Sequence, residues 1–255
     1  MCPDQLKIAK VCPIYKSDDK AQFANYRPIS VLPSFSKIFE KVMFNRLTNY
    51  LDSKQILFQQ QFGFRQNHST DLAVTDMYNK ISNAIDLNKF AIGVFIDLSK
   101  AFDTLDYDIL LKKLDHYGIR GTTLAWLKSY LTNRKQFVRV NEILSDNMSL
   151  SCGVPQGSIL GPLLFILYVN DIANCSKLLH FILFADDTNL FYSNENLVDL
   201  VNTLNLELIK LSEWFQCNKL SINVSKTKFM LFGTKHVKEK QIMMLLSEWY
   251  CHRTC

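Results

Sequence analysis

The sequence has no apolar run long enough to cross a bilayer, no internal repeat, no low-complexity tract and no linker. Its longest apolar stretch, Ile159 to Val169, falls short of the roughly 20 residues a bilayer helix needs and contains Gly161 and Pro162. That excludes a membrane-spanning helix. The first residues, Met1-Cys2-Pro3-Asp4, lack the basic-then-apolar layout of a secretory leader. A paired cysteine framework is lacking: the seven cysteines are odd in number and scattered along the chain, so reduced thiols in an intracellular protein are expected, nuclear or cytoplasmic. Only Cys251, His252 and Cys255 approach metal-ligand spacing, and no second pair lies near them. Glycine and proline are scarce too, eight and six in 255 residues. What is present is ordinary: 48% hydrophobic and 21% charged residues exclude a disordered chain and a fibre. At ~150 residues per domain the length predicts one or two domains.

The net charge of +5 is unevenly placed. Residues 1–65 hold 10 Lys and Arg against 5 Asp and Glu, whereas residues 66–255 hold 19 of each. Four of the six prolines (Pro3, Pro13, Pro28 and Pro33) lie in the same basic quarter, so it begins as extended chain rather than helix. A basic segment beside a neutral remainder suits a surface that touches phosphates, and a solvated basic face has the same composition.

Apolar spacing and turn residues place the remaining elements. Ser34 precedes Phe35, Ile38, Phe39, Val42 and Met43, one stripe on a helix that Ser34 would cap. After a loop from Gln59 to His68, Ser69 or Thr70 caps a helix to about Asp86. Phe90 to Ile96 is a short, nearly continuous apolar run ending at Asp97, the pattern of a central buried strand. Asp106 caps a helix closed by Gly118, a second helix spans Thr123 to about Asn133, and Gln136–Val140 with Met148–Ser151 reads as a hairpin. Gly153 to Gly157 forms a loop opening onto an apolar helix. Leu178 to Ala185 is another buried strand, Thr188 to Tyr192 pairs back on it, and Asp186 and Asp187 occupy the tight turn. A helix from Leu197 to Phe215 and a strand from Phe229 to Phe232 follow. From Phe90 onward this alternation predicts an α+β layer with one sheet backed by helices on a single face.

Two of these strands end in acid. If they are neighbours, Asp97 and Asp186-Asp187 meet at one sheet edge, and like charges that close require a cation. Hard divalent ions take carboxylate oxygens, and a pair of them serves polymerases and nucleases. The Asp-Asp dipeptide by itself reads first as a favourable hairpin turn, and only its context points to a metal site.

The ordered motifs carry the argument further. Phe95-Ile-Asp97-Leu-Ser-Lys-Ala-Phe102-Asp103 resembles motif A of reverse transcriptases, Gly153-Val-Pro-Gln156-Gly157-Ser158-Ile-Leu-Gly161-Pro162 resembles motif B, and Phe184-Ala-Asp186-Asp187 resembles motif C. Tyr26-Arg27-Pro28-Ile29-Ser30 and Gln61-Phe-Gly63-Phe-Arg65 are similar to fingers motifs, and Leu220 to Lys228 is similar to motif D. The set runs in the family's order from about Lys10 to Phe232, and its spelling is most similar to non-LTR retrotransposons of the jockey type. The resemblance implies a right-hand polymerase: partial fingers over residues 1–89, a palm over 90–232 with an antiparallel sheet backed by helices, and an unassigned tail over 233–255. It implies an RNA-directed DNA polymerase working with Mg²⁺ or Mn²⁺ on an RNA template, a DNA primer and dNTPs, away from membranes. The primer grip, thumb and endonuclease of the family are not found in the sequence, so a fragment of a larger element protein is expected. A silent remnant that at most binds nucleic acid is the other reading.

By the same resemblance Asp97 and Asp186 are metal ligands with the Leu98 carbonyl beside them, and Asp187 either binds metal or shapes the turn. Phe102 matches the aromatic beneath the incoming sugar, where a ring leaves no room for a 2′-hydroxyl. Gln156 and Gly157 lie near the nucleotide, and Lys16 and Arg27 match the cations that grip the triphosphate. Lys226, or Lys228 close by, matches the lysine that protonates pyrophosphate. Gly63, Phe64, Arg65, Gly153 and Pro155 are placed at the template and primer, an aromatic beside a cation being able to support a single strand.

Overall fold

Helices begin where short polar side chains can take up the orphan amides of a first turn. The Ser69 hydroxyl accepts from the Leu72 amide at 3.3 Å and starts α2 (Thr70–Asp86). Asp106 Oδ1 accepts from the amides of Asp108 and Ile109, both at 3.0 Å, and starts α3 (Tyr107–His116), after which the chain reverses through Gly118 at φ +85°. The first long helix, α1 (Ser34–Ser53), corrects the expectation. Ser34 is its first helical residue, Pro33 holds the N-cap position, and no side chain caps it. Its apolar stripe also points outward, with Phe35 69% and Ile38 57% exposed, while Ser36, Glu40, Leu47 and Leu51 face inward.

The computed structural model describes residues 1–233, so the Cys251-His252-Cys255 group and the tail beyond Gly233 lie outside the described residues. The chain divides into two units that interleave in sequence. One unit comprises Met1–Leu57 and Phe102–Tyr168. In it β1 (Ile8–Tyr15) pairs antiparallel with β2 (Tyr26–Val31), and Pro13 stands opposite Pro28 so that both missing amide donors fall on one pair. On its other side β1 pairs in parallel with β4 (Arg134–Val140), from Ile8 against Lys135 to Val11 against Val138. The expected hairpin forms between β4 and β6 (Met148–Leu150), with a two-residue strand, β5 (Ile143–Leu144), folded back inside it. Thus the strands after Phe90 do not all join one sheet. β4 leaves for a distant partner, β1, a pairing that periodicity cannot reveal. Helix α4 (Gly121–Leu131) starts and ends two residues earlier than the spacing predicts, and α5 (Leu160–Val169) buries every residue but Pro162.

The other unit comprises Phe58–Ala101 and the chain from Val169 on. Its sheet runs β7 (His180–Phe184), β8 (Asp187–Asn194), β3 (Phe90–Ile96), β9 (Lys228–Phe232), and every pairing is antiparallel. β3 is central and buried, as its apolar run predicts. Helix α2 and helix α6 (Leu197–Cys217) pack on this sheet, α6 through Leu200, Leu204, Leu208 and Leu211 among its buried residues. Ala73 of α2 joins Ile182 and Phe191 in a cluster completed by Phe95 and Phe184. Fully burying side chains of this size stabilises a fold by roughly 1.5–3 kcal/mol each.

Candidate active site

In the sheet unit the acids converge as their strands end. β8 rather than β7 is the neighbour of β3, and the last registered pair is Ile96 with Thr188. Asp97 and Asp187 are each one step beyond it. Asp187 is therefore the first residue of β8 and not part of the turn, which consists of Ala185 and Asp186 between the paired residues Phe184 and Asp187. Partial desolvation raises the Asp187 carboxyl above the ordinary aspartate range, and the nearby Asp186 and Asp97 carboxylates raise it further. The three acids share one field. Among the described residues no three His, Cys, Asp or Glu side chains stand gathered at metal-ligand spacing.

A second segment comes alongside the first acid. The Ser99 amide donates to the Ser221 carbonyl and the Asn223 amide to the Asp97 carbonyl, both at 2.8 Å, and buried Leu98 is bridged to Ile222. This delivers Lys226, whose Nζ lies 3.8 Å from Asp97 Oδ2. Lys228 instead donates to the Ser225 carbonyl at 3.2 Å from the start of β9. The Gln61–Arg65 segment also belongs here. Gly63 packs on the Ala185 backbone, Phe64 is exposed, and the Arg65 guanidinium donates to the Phe58 and Gln61 carbonyls at 2.7 and 3.3 Å.

The remaining candidates lie in the other unit. Phe102 is half-buried in a short 3-10 turn (Ala101–Asp103), and its ring packs on Phe165 with centroids 4.8 Å apart. The Phe102 carbonyl accepts from the Val154 amide, and the Leu105 carbonyl from the Gly153 amide, each at 2.8 Å, so motif A and motif B residues are stitched together. The Gln156 side-chain amide donates to both Asp103 oxygens at 2.9 and 3.1 Å. The Gln156 carbonyl accepts from the Ser30 amide of β2 at 2.7 Å. Gly157 has φ +120°, and a Cβ there would stand 2.7 Å from the Ser30 carbonyl oxygen, so no other residue fits. Buried Pro155 accepts from the Ser158 amide at 3.0 Å. Lys16 and Arg27 are exposed near the tip of the β1–β2 hairpin, where the Lys16 amide donates to the Asn25 carbonyl at 2.9 Å.

The family model described as reverse transcriptase (RNA-dependent DNA polymerase) matches residues 14–246. The chain belongs to the reverse transcriptase family. It is a reverse transcriptase domain of the non-LTR retrotransposon kind. It is 35% identical over 240 residues to the "Probable RNA-directed DNA polymerase from transposon BS" of Drosophila melanogaster, covering 88% of this chain and 26% of that protein. It is 28% identical over 241 residues to the RNA-directed DNA polymerase from mobile element jockey of the same fly, covering 91% and 26%. The reverse transcriptase domain thus spans about a quarter of the length of these curated relatives. Among solved structures, telomerase from Candida albicans in complex with a telomeric RNA fragment superposes with a TM-score of 0.64 at 14% identity, over 93% of this chain and 44% of that one. Apo telomerase from Candida tropicalis, truncated from its C-terminal domain, gives 0.63 at 14% identity, over 93% and 52%. These likenesses establish the polymerase fold.

Three residues of this reverse transcriptase domain escaped the reading of the sequence. Asp103 stands within motif A, but nothing in its spacing tells that it clamps Gln156. Glu40 is fully buried, and its carboxylate accepts from the Ile159 amide at 2.6 Å and the Ser36 hydroxyl at 3.2 Å. Its only sequence signal is an acid beside the apolar stripe of Phe39 and Val42. Gln61 is 1% exposed and holds the turn that carries Asp186.

Proposed function

We propose that the chain is an RNA-directed DNA polymerase domain that joins dNTPs to a primer 3′-hydroxyl on an RNA template. The observation that supports this most directly is the convergence of Asp97, Asp186 and Asp187 at the end of the β7–β8–β3 strands, with Lys226 beside Asp97. Burial and the two neighbouring carboxylates raise the Asp187 carboxyl, and acids grouped in this way are a donor set for a hard divalent cation, Mg²⁺ or Mn²⁺, on which the family is generally dependent. Asp97 and Asp186 would hold it, with the Leu98 carbonyl beside them and Asp187 in reserve at the head of β8. When bound, the cation makes the primer hydroxyl a better nucleophile and stabilises charge on the leaving oxygen.

In the reaction the primer 3′-hydroxyl gives up its proton to solvent as its oxygen forms a bond to the α-phosphorus, the bond to the bridging oxygen breaks, and pyrophosphate leaves. Lys226 is the group that hands a proton to that pyrophosphate, because the Lys228 ammonium is engaged by its own loop. Lys16 and Arg27 grip the triphosphate. Gln156, oriented by Asp103, and the Gly157 backbone line the nucleotide, with Gly153 and Pro155 at the template. Phe102 selects deoxyribose by filling the volume a 2′-hydroxyl would need. The template and primer, and the rest of the element protein with its endonuclease and thumb, are the partners this reading requires.

Primer extension on an RNA template, with each metal and each nucleotide type, tests the proposal. Wild-type chain extends the primer with dNTPs. Asp97→Asn and Asp186→Asn abolish extension while keeping or raising the melting temperature, because each removes a like charge from a crowded group. Wild-type rates in either variant at equal folding would refute the assignment.

A further inference from the structure

We infer that the loop Phe58–Arg65 is a brace for the turn that presents Asp186, and that Gln61 is its positioning residue. The consequence for catalysis rests on the polymerase reading; the brace itself does not.

Residues 60–62 run beside β7 as a short parallel addition. The Phe62 amide donates to the Leu183 carbonyl at 2.7 Å, the Leu183 amide donates to the Gln60 carbonyl at 2.9 Å, and Gln61 bridges to Leu183. This turns the Gln61 side chain into the protein, where it is 1% exposed and its Oε1 accepts from two amides, Gly63 at 2.8 Å and Ala185 at 3.2 Å. Ala185 needs that support. It has φ +57°, a left-handed conformation that a side chain with a Cβ adopts only when its surroundings over-determine it.

Gly63 lets the brace close. A Cβ there would lie 2.1 Å from the Ala185 nitrogen and 2.8 Å from its Cα, so any larger residue pushes the turn away. Arg65 ties the loop to itself through the carbonyls of Phe58 and Gln61, and Phe62 packs into the cluster that contains Phe184. The segment that resembles a template-contacting motif therefore turns its Gln61 oxygen inward, onto the turn. Asp186 follows Ala185 directly, so the backbone of Ala185 sets where that carboxylate starts. An ångström of misplacement at a reacting centre costs about 10²-fold in rate.

The test uses the whole chain with Gln61→Met, which keeps side-chain volume and removes the acceptor, Gly63→Ala, and the double variant. Amide hydrogen exchange is read across 184–188, Mn²⁺ binding by the resonance of the free ion, and primer extension as kcat and KM. Gln61→Met is expected to speed exchange at Ala185–Thr188 by about tenfold or more. Mn²⁺ then binds about tenfold more weakly, and kcat falls while the KM for dNTP changes little. Gly63→Ala acts in the same direction, and the double variant is no worse than the worse single, because both act through one backbone. If Gly63→Ala does not fold, the volume-conserving Gln61→Met decides. Unchanged exchange at Ala185–Thr188 in folded Gln61→Met overturns the brace, as does a lowered melting temperature with Mn²⁺ affinity intact. A wild-type chain that neither binds Mn²⁺ nor extends a primer refutes the polymerase reading, and the exchange measurement still decides the brace.

Discussion

Phe102 shows how much one side chain can say and where that ends. Its place in the motif resembles that of the family's aromatic beneath the sugar, and the same ring lies on Phe165 at 4.8 Å, so it also packs the fold. Phe102→Val is expected to narrow the preference for dNTP over NTP by about tenfold or more, because a hydroxyl gains the space the ring held. It should cost about 1–2 kcal/mol of stability, less than a fully buried Phe truncation. Incorporation assays with both nucleotide types, beside a thermal melt, check the two effects separately. Unchanged discrimination with lowered stability would leave Phe102 as a packing residue. Asp103 makes the complementary point. Its identity is plain in the sequence, but that it holds the Gln156 amide depends on two loops 53 residues apart meeting.

Helix α1 is the element the sequence describes least well. Its apolar spacing defines a stripe correctly, and helical geometry does put Phe35, Ile38, Phe39 and Val42 on one side. Which side faces inward is decided instead by Glu40, whose buried carboxylate takes the Ile159 amide just before α5. Tyr130 and Arg134 share that interior: burial raises the Tyr130 hydroxyl well above its ordinary range, Glu40 raises it further and Arg134 opposes them, with the guanidinium 4.9 Å from the ring. Glu40→Ala should therefore destabilise by about 1–3 kcal/mol, since it leaves the Ile159 amide without its acceptor. Ile38→Ser on the exposed stripe should change stability by no more than about 0.5 kcal/mol. Denaturant titration of the two variants would refute this orientation of α1 if their order were reversed. By contrast α2, α3 and β3 were legible to within a residue or two. Their signals are local, a capping oxygen or a continuous apolar run, and need no distant partner.

For the whole molecule the informative quantity is where the charge lies. The excess of five positive charges sits in residues 1–65, much of it on exposed side chains of the β1–β2 hairpin and α1. Binding of primer-template should fall as salt rises, with a log–log slope of roughly 0.7–0.9 per phosphate neutralised. Exchanging Lys16, Lys20 and Arg27 for Gln should lower that slope by about one for each phosphate that is no longer neutralised. The same exchange at Lys112, Lys128 and Lys177, also exposed, should leave it unchanged. Equal weakening from both sets would show that the basic quarter has no special part. Family, motif order and the central strand were all determined by the sequence, because each is written in neighbouring residues. The tertiary structure alone decided that β4 joins β1, that Asp187 heads β8, that α1 turns its apolar stripe outward, and that Gln61, Glu40 and Asp103 hold the loops in place. Each of those depends on a hydrogen bond or strand pair between residues far apart in the chain, and spacing along one segment carries no record of its distant partner.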